Sequence, residues 1–432
     1  MSRPRRVLIP LVVLILALAG LLLTVPLAAA ASAGSAFRRG IGVSHVMAWA
    51  ATVPGSPREF VFPPFSDVTD AQFAAELQAI RRTGFDFVRL AVDPGPFLQF
   101  QGSRRDALDR ILMRRVKLIL SADLSVVVDF HPSDMNPDYT AQALTAGLTT
   151  PAFQSYLRLL ERTAGQLDDL RSSKVAFELM NEPPVRPSAW QPMLEAAYRA
   201  ARSRAPRLVL VLEGGDEASP AALMAMRTTL FVNDQAALVS FHYYDPYQFT
   251  HQGASWNAAR YLVDVPYPAR ARPLDDSLTA TEALIAESDL SELRKALAYQ
   301  DAQARLEDYR ASGFDADTIE RNFGEVARWA KRQGIPADRV LLGEFGARKT
   351  ALQLHGSRAA ERAGWFHDVS QAAAANGFGW AVWAYRGGGF GLAATDAGDE
   401  IDPNIARALR LNSGPVPKVE IRQNMGEPAP MP

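Results

Sequence analysis

The sequence predicts an α/β fold in which one parallel sheet closes on itself, a (β/α)8 TIM barrel. Three observations predict it. Short apolar segments of strand length alternate with stretches of helical period, and there are eight of the former. The segments end on polar and aromatic residues, whereas their bodies are apolar. No glycine-rich phosphate loop follows an early strand: after Gly84 there is no further glycine up to Leu90. That disfavours the runner-up, a doubly wound open sheet.

The elements follow in order. Gly40 to His45 reads as the first strand. Thr69 is placed to cap a helix carrying Phe73, Leu77 and Ile80 on one face and ending at Gly84. Phe85 to Val92 is the second strand, and a helical stretch runs from about Arg105 to Ala122. Leu124 to Phe130 is the third strand, with Val126, Val127 and Val128 in a run suited to burial on both faces. Thr150 as N-cap with Pro151 at the first helical position opens the next helix. Val175 to Met180 is strand four; a helix from about Ser188 to Arg204 leads to strand five, Leu208 to Leu212. Ser219 and Pro220 open a short helix before strand six, Ala237 to Tyr243.

Asp245 to about Asp315 interrupts the rhythm with four prolines (Pro246, Pro266, Pro268, Pro273) and a charged helical stretch from about Thr279 to Tyr309. It reads as a long insertion after strand six. A helix from about Asp317 to Arg332, closed by Gly334, restores the alternation. Val340 to Phe345 is strand seven, and a helix from about Arg358 stops at Gly377. Phe378 to Tyr385 is strand eight, with a last helix near Ile401 to Leu411.

The chain has 432 residues, 48% hydrophobic and 22% charged, with a formal net charge of -1. There is no basic excess to neutralise phosphates, so nucleic acid is not an expected partner. The absence of cysteine excludes disulfides, thiolate catalysis and cysteine-ligated metals. At the N-terminus Arg3, Arg5 and Arg6 precede an apolar run from Val7 to about Leu27 and the small residues Ala28 to Ala36. This is the layout of a secretory signal. The run is also near the ~20 residues that span a bilayer, so an uncleaved anchor is the alternative. In both cases the remainder is expected outside the cytoplasm. The expected organisation is therefore a leader over 1–36, a barrel over 37–411 and a poorly ordered, proline-rich tail over 412–432.

In such a barrel the chemistry sits at the C-terminal ends of the strands. Strand two ends near Arg89, strand three with Asp129, Phe130 and His131, and strand four with Asn181 and Glu182. His242, Tyr243 and Tyr244 end strand six, Glu344 ends strand seven, and Trp383 and Tyr385 lie on strand eight. Carboxylates on strands four and seven can face each other across the barrel mouth. Glycoside hydrolysis needs such a pair, one to protonate the leaving oxygen and one to support the oxocarbenium-like centre. A metal-dependent hydrolase would want clustered ligands such as H-x-H, and the six histidines are dispersed. No metal and no cofactor are expected. Taken singly, Arg89, His131, His242 and Trp383 read more readily as structural groups, and they gain from the shared layout.

FELMNEPP (Phe177 to Pro184) together with LLGEFG (Leu341 to Gly346) resembles glycoside hydrolase family 5, the family of cellulases and mannanases. RRGIGVSH from Arg38, FVRL with Arg89, VVDFH with His131, FHYYDP with His242 and Tyr244, and GWAVWAY with Trp383 arrive in the same order. The resemblance spans roughly Arg38 to Leu411 and implies a retaining mechanism with Glu182 as acid/base and Glu344 as nucleophile. It further implies that Asn181 bonds the sugar 2-hydroxyl and that Arg89 and Tyr244 hold Glu344 charged and aimed. His131 and His242 would line the site and Trp383 would stack on the sugar, so that these six residues form the substrate-binding set. The chain departs from the family in its long insertion and in its opening Gly42-Val43-Ser44-His45, which leaves His45 and Trp49 as candidate binders only. Trp256, Tyr261 and Tyr267 in the insertion read equally as packing groups or sugar-stacking groups. The expected activity is that of an exported, monomeric endo-β-glucanase on a polysaccharide. The alternatives are a β-mannanase or transglycosylase of the same family, or an inactive membrane-held glycan-binding protein.

Overall fold

The structure, a computed structural model, describes residues 32–350, 355–387, 389–393 and 400–411. Eight parallel strands close into a barrel: β1 (Arg39–Val43), β2 (Phe87–Val92), β3 (Ser125–Phe130), β4 (Val175–Glu178), β5 (Val209–Glu213), β6 (Ala237–Tyr243), β7 (Val340–Phe345) and β8 (Gly379–Val382). Neighbours in sequence are neighbours in the sheet, and β1 closes the ring by pairing with both β2 and β8. Every residue of β2 to β8 is buried, as expected for strands covered by helices outside and side chains inside.

Side chains alternate along a strand, and that alternation builds the interior in layers. Phe87, Val127, Ala176, Val211, Leu238, Leu341 and Ala381 form an apolar lower cluster, sealed by Phe37. Two residues further along the same faces stand Arg89, Asp129, Glu178, Glu213 and Ser240. The interior thus changes from apolar to ionisable within one step of the pleat. In β7 a register shift pairs His242 with Glu344, where unbroken alternation would place Gly343. Gly343 faces inward against Ser240 and His242, where a Cβ would lie 2.4 Å from the Ser240 hydroxyl. Only glycine fits there, and the bulge turns Glu344 inward beside it.

Outside the barrel the long helices are α1 (Asp70–Thr83), α2 (Gly102–Ser121), α3 (Pro151–Asp168), α4 (Pro187–Arg204), α5 (Leu274–Ala286), α6 (Glu292–Ser312), α7 (Ala316–Gln333) and α8 (Ala359–Ala375), with shorter ones between, among them Pro220–Met224 and Pro403–Ala408. Thr69 and Gln72 form a reciprocal capping box at the start of α1, and Gly84 ends it with φ 105. Thr150 caps α3 ahead of Pro151, and Gly334 closes α7 with φ 73.

The structure departs from the sequence expectations at several elements. The charged helix expected over 279–309 is two helices, α5 and α6, packed on each other. Ser288 caps the end of α5 by bonding the Ile285 carbonyl at 2.6 Å, which competes with continuation of the helix. Strand eight stops at Val382 and not at Tyr385, so Trp383 lies just past the sheet, its N–H still bonded to Phe345 at 2.9 Å. Strands one and four likewise stop at Val43 and Glu178, two residues short of the expected ends. A hairpin of Thr52–Val53 and Ser56–Phe60 follows β1, unmarked by any apolar alternation. The leader expected over 1–36 lies outside the described residues as far as residue 31. Ala33–Ala36 form one 3-10 turn whose alanines pack against the lower barrel cluster. The expected tail, 412–432, lies outside the described residues. Among the described residues no helix is long and apolar enough to cross a membrane.

Candidate active site

Arg89 organises the upper layer from β2. It is wholly buried and donates to both oxygens of Glu178, at 2.8 and 2.6 Å, and to Asn181 Oδ1 at 2.8 Å. Its Nη2 lies 3.1 Å from Asp129, and its Nη1 donates to Glu344 Oε1. A planar guanidinium has five donors in a fixed fork, which lets one cation hold side chains from β3, β4, the β4 loop and β7 together.

Glu344 receives a second donor, the Tyr244 hydroxyl, at 2.7 Å from Oε2. Burial works against its charged form, but His242, Arg89 and His131 outweigh burial and hold its pKa below the ordinary carboxylate value. Glu182 has the opposite balance. It lies among protein atoms yet keeps 33% of its side chain open to the cleft. Burial raises its pKa, and the nearby charges of Glu344 and Glu213 add to that against the contact with His242. One carboxylate oxygen of Glu182 and one of Glu344 lie within 4.8 Å of each other.

His242 stands between them, its Nδ1 2.7 Å from Glu182 Oε1 and 3.7 Å from Glu344 Oε2. Its Nε2 is 2.8 Å from Glu213 Oε1 but off the direction of a good hydrogen bond, so the contact is one of charge. His131 Nδ1 contacts Asp129 at 2.9 Å, and its ring lies parallel to Trp383 at 5.3 Å and 3°. Asn181 Oδ1 is taken by Arg89, so its Nδ2, 3.5 Å from His131 Nε2, is the group left to donate.

The structure therefore gathers all eight residues singled out in the sequence. Arg89 differs from expectation in one respect. Being wholly buried, it lies beneath the cleft surface and acts on Glu344, Glu178 and Asn181 without reaching a substrate. Two further members of the cluster escaped the sequence reading. Glu178 is pushed to a raised pKa by burial, against the pull of Arg89, with Glu213 and Asp129 adding repulsion. Glu213 stays ionised, with a pKa of about 2, because His242 and Arg89 overcome its burial. The available signal was the pleat: each lies two residues beyond an inward apolar residue, Ala176 and Val211. His45, a candidate binder, lies 2.9 Å from Glu76, which Arg386 also contacts at 3.0 Å.

Residues 62–389 match the profile of the cellulase family, glycosyl hydrolase family 5. The chain belongs to that family. Among its curated relatives are Endoglucanase 3 of Fibrobacter succinogenes, 24% identical over 297 residues, and Endoglucanase C of Acetivibrio thermocellus, 26% identical over 211 residues. The alignments cover 63% and 46% of this chain but 40% and 59% of those proteins, so the chain matches only part of each relative's length. The structure of the clostridial cellulose synthase subunit Z from Clostridioides difficile superposes with a TM-score of 0.60 at 20% identity, covering 86% of this chain and 99% of that one. It shares the barrel.

In this family 5 chain the carboxylates open into a cleft of about 1040 Å³. Trp49, His131 and Trp383, in mutual ring contact, line it together with a second group, Tyr247, His251 and Trp256. The second group comes from the segment after β6, which the sequence marked as an insertion. Tyr247 stacks on His251 at 4.0 Å, and Trp256 lies over the Arg348 guanidinium at 4.8 Å. Of the other insertion aromatics, Tyr267 is a packing group, buried with its hydroxyl 2.7 Å from Asp368. Among the described residues, two trios bring His/Asp/Glu donor atoms within 4.8 Å: Glu178, Glu213 and His242, and Glu182, His242 and Glu344. Both share His242; Arg89 bonds Glu178 in the first and Glu344 in the second, where Tyr244 also bonds Glu344.

Proposed function

We propose that the chain is a retaining endo-β-glucanase acting on an extracytoplasmic polysaccharide. The observation that carries this reading is the pair Glu182 and Glu344, close together and with opposed electrostatics. Retaining glycosidases place their carboxyl groups ~5–5.5 Å apart, whereas inverting ones leave ~6.5–9.5 Å for a water. The separation within 4.8 Å supports the retaining class.

Glu344, kept ionised by Arg89, His242 and Tyr244, attacks the anomeric carbon and forms a glycosyl ester. Glu182, which burial helps to keep protonated, gives its proton to the departing glycosidic oxygen. It then takes a proton from water, which attacks the ester and releases Glu344. Asn181, its amide oriented by Arg89, donates through Nδ2 to the 2-hydroxyl of the reacting sugar. Trp383, backed by the parallel His131 ring, presents a flat face to the apolar C–H side of that sugar. The cleft is lined by Trp49, Tyr247 and Trp256 as well as Trp383, more aromatic faces than one sugar needs, which suits a chain substrate. The named relatives are endoglucanases, which favours a β-glucan.

Glu344→Gln should abolish hydrolysis of β-glucan with the fold retained. Near-wild-type turnover in that variant would refute the assignment. Product sizing on β-glucans and β-mannans separates the neighbouring readings: mannan cleavage would make it a mannanase, and products longer than the substrate a transglycosylase. Export rests on Arg3, Arg5 and Arg6 ahead of the apolar run. Finding the expressed full-length chain in the cytoplasmic fraction would sink it.

A further inference from the structure

Glu213 has no role in the scheme above. It ends β5 with its side chain wholly buried, so it cannot touch a substrate. Both of its oxygens are nevertheless committed to the reacting groups. Oε2 accepts the backbone N–H of Glu182 at 2.8 Å. Oε1 lies 2.8 Å from His242 Nε2 and accepts from Ser240 Oγ at 3.3 Å.

The two contacts serve different ends. Glu182 has φ 44, a left-handed conformation that costs a residue with a Cβ ~1–3 kcal/mol and persists only where the surroundings impose it. The bond to Glu213 is one such imposition, and it sets the direction in which the Glu182 side chain leaves the backbone. A neutral acceptor would serve that bond equally well. A buried anion is costly, and what it alone supplies is a counter-charge for an imidazolium. His242 carries that ring, and its other nitrogen faces both Glu182 and Glu344.

We infer that Glu213 is a positioning residue that fixes the backbone of the acid/base and keeps His242 protonated through the catalytic cycle. The inference rests on the retaining mechanism proposed above. In the first step negative charge leaves Glu344, which becomes an ester, and appears on Glu182, which has given up its proton. In the second step it returns. An imidazolium within 2.7 Å of one carboxylate and 3.7 Å of the other serves as counter-ion in both states. A neutral ring would not. The charged groups facing Glu213 and His242 are Arg89 from β2, Glu178 from β4, Glu182 beyond β4 and Glu344 from β7. Their balance agrees with the geometry: burial opposes charge on His242, but Glu213 and Glu344 raise its pKa well above the ordinary value.

The test compares the wild type, Glu213→Gln and Glu213→Asp, each as the full chain with isotope-labelled histidine. The His242 resonance is assigned by its absence in His242→Gln. In the wild type His242 should stay charged at pH 8. In Glu213→Gln its titration should fall by at least ~1 pH unit, about 1.4 kcal/mol of lost counter-charge. On a β-glucan, kcat for that variant should drop on the order of 10²-fold, the low end for a positioned acid–base group, with KM within about twofold. The alkaline limb of the pH profile should move downward, because His242 gives up its proton, and with it the counter-charge, at a lower pH. Glu213→Asp, which keeps the charge, should leave His242 charged at pH 8 and recover part of kcat. An unshifted His242 titration in Glu213→Gln would overturn the inference, as would a loss of kcat with the pH profile unmoved. If Glu213→Gln fails to fold, a neutral His242 at pH 7 in Glu213→Asp overturns it. The resonance is read without substrate, so failure of the glycosidase reading would appear separately, as inactivity of the wild type.

Discussion

Replacing Arg89 with methionine tests the upper barrel layer as a charge-balanced unit. The guanidinium is the common partner of Glu178, Asp129 and Glu344, and all four side chains are shielded from solvent. Methionine has comparable length and no charge, so the variant strands three carboxylates in place. Removing one member of a buried ion pair costs ~3–5 kcal/mol. For a folded unit of roughly 380 residues, ~2.1 cal/mol/K per residue gives an unfolding entropy near 0.8 kcal/mol/K, so the midpoint should fall by ~4–6 °C at pH 7. The loss should also depend on pH, with a definite sign. Without Arg89 the pKa of Glu344 rises in the folded state above its unfolded value of ~4.3, and that of Glu178, already raised by burial, rises further. Their ionisation then costs stability at neutral pH, and the cost fades as pH falls toward the unfolded value and the groups take up protons in both states. Thermal unfolding of wild type and variant at pH 7 and pH 4.5 should therefore show the gap shrinking at the lower pH. A gap that is the same at both, or below 1 °C at pH 7, would show that the carboxylates do not depend on Arg89.

Three other outcomes follow. The pH–rate profile should be bell-shaped, falling in acid as Glu344, held below the ordinary carboxylate pKa, takes up a proton, and in alkali as Glu182, held above it, loses one; a profile with no alkaline limb would remove Glu182 as the acid. Glu182→Ala should lower kcat/KM for β-glucan ~10²–10⁴-fold while sparing kcat/KM for aryl glycosides whose leaving groups need no proton, and added azide, replacing the water that Glu182 no longer activates, should give a β-glycosyl azide; equal losses of kcat/KM on both substrates would contradict it. Trp256→Ala should raise KM for long oligosaccharides ~2–10-fold, the equivalent of ~0.5–1.5 kcal/mol of ring stacking, and leave melting unchanged because the ring is 61% exposed; a lowered melting point with KM unmoved would make it a packing residue.

The barrel was legible because its signals are local. Thr69, Thr150 with Pro151, and Gly84 and Gly334 each mark a helix end by the hydrogen bonds or backbone angles that end requires. The strand bodies announce themselves because burial on both faces demands unbroken apolar runs. Glu182 and Glu344 stood out because they interrupt such runs. Glu178 interrupts one too, in Phe177-Glu178-Leu179, but a single buried carboxylate in a strand body does not say from the sequence which cation it faces. Glu213 falls one residue past the expected end of strand five at Leu212, and nothing in its own segment says that it meets His242 from the adjacent strand. The break between α5 and α6 was lost for a different reason: Ser288 acts through its own turn, and serine is common enough in helices to pass unnoticed. The β7 bulge is a property of register between strands and leaves no trace in either strand alone.

The layered interior supplies a reason for a catalytic reading that is independent of likeness to other proteins. One pleat below the charged layer, the barrel is filled by Phe87, Val127, Ala176, Val211 and Leu238, which need no partners. Nothing in the fold prevents the same solution one pleat higher. Replacing a buried ion network with well-packed apolar residues of like volume is commonly neutral or stabilising by ~1–4 kcal/mol. The chain instead buries Arg89, Asp129, Glu178, Glu213, His242 and Glu344 together, at a desolvation cost that packing does not require. The charge they carry converges on the two groups that reach the cleft with opposite protonation preferences. A layer maintained for stability would be the lower one repeated; this one holds Glu344 ionised beside a protonatable Glu182, and that difference is what the chemistry consumes.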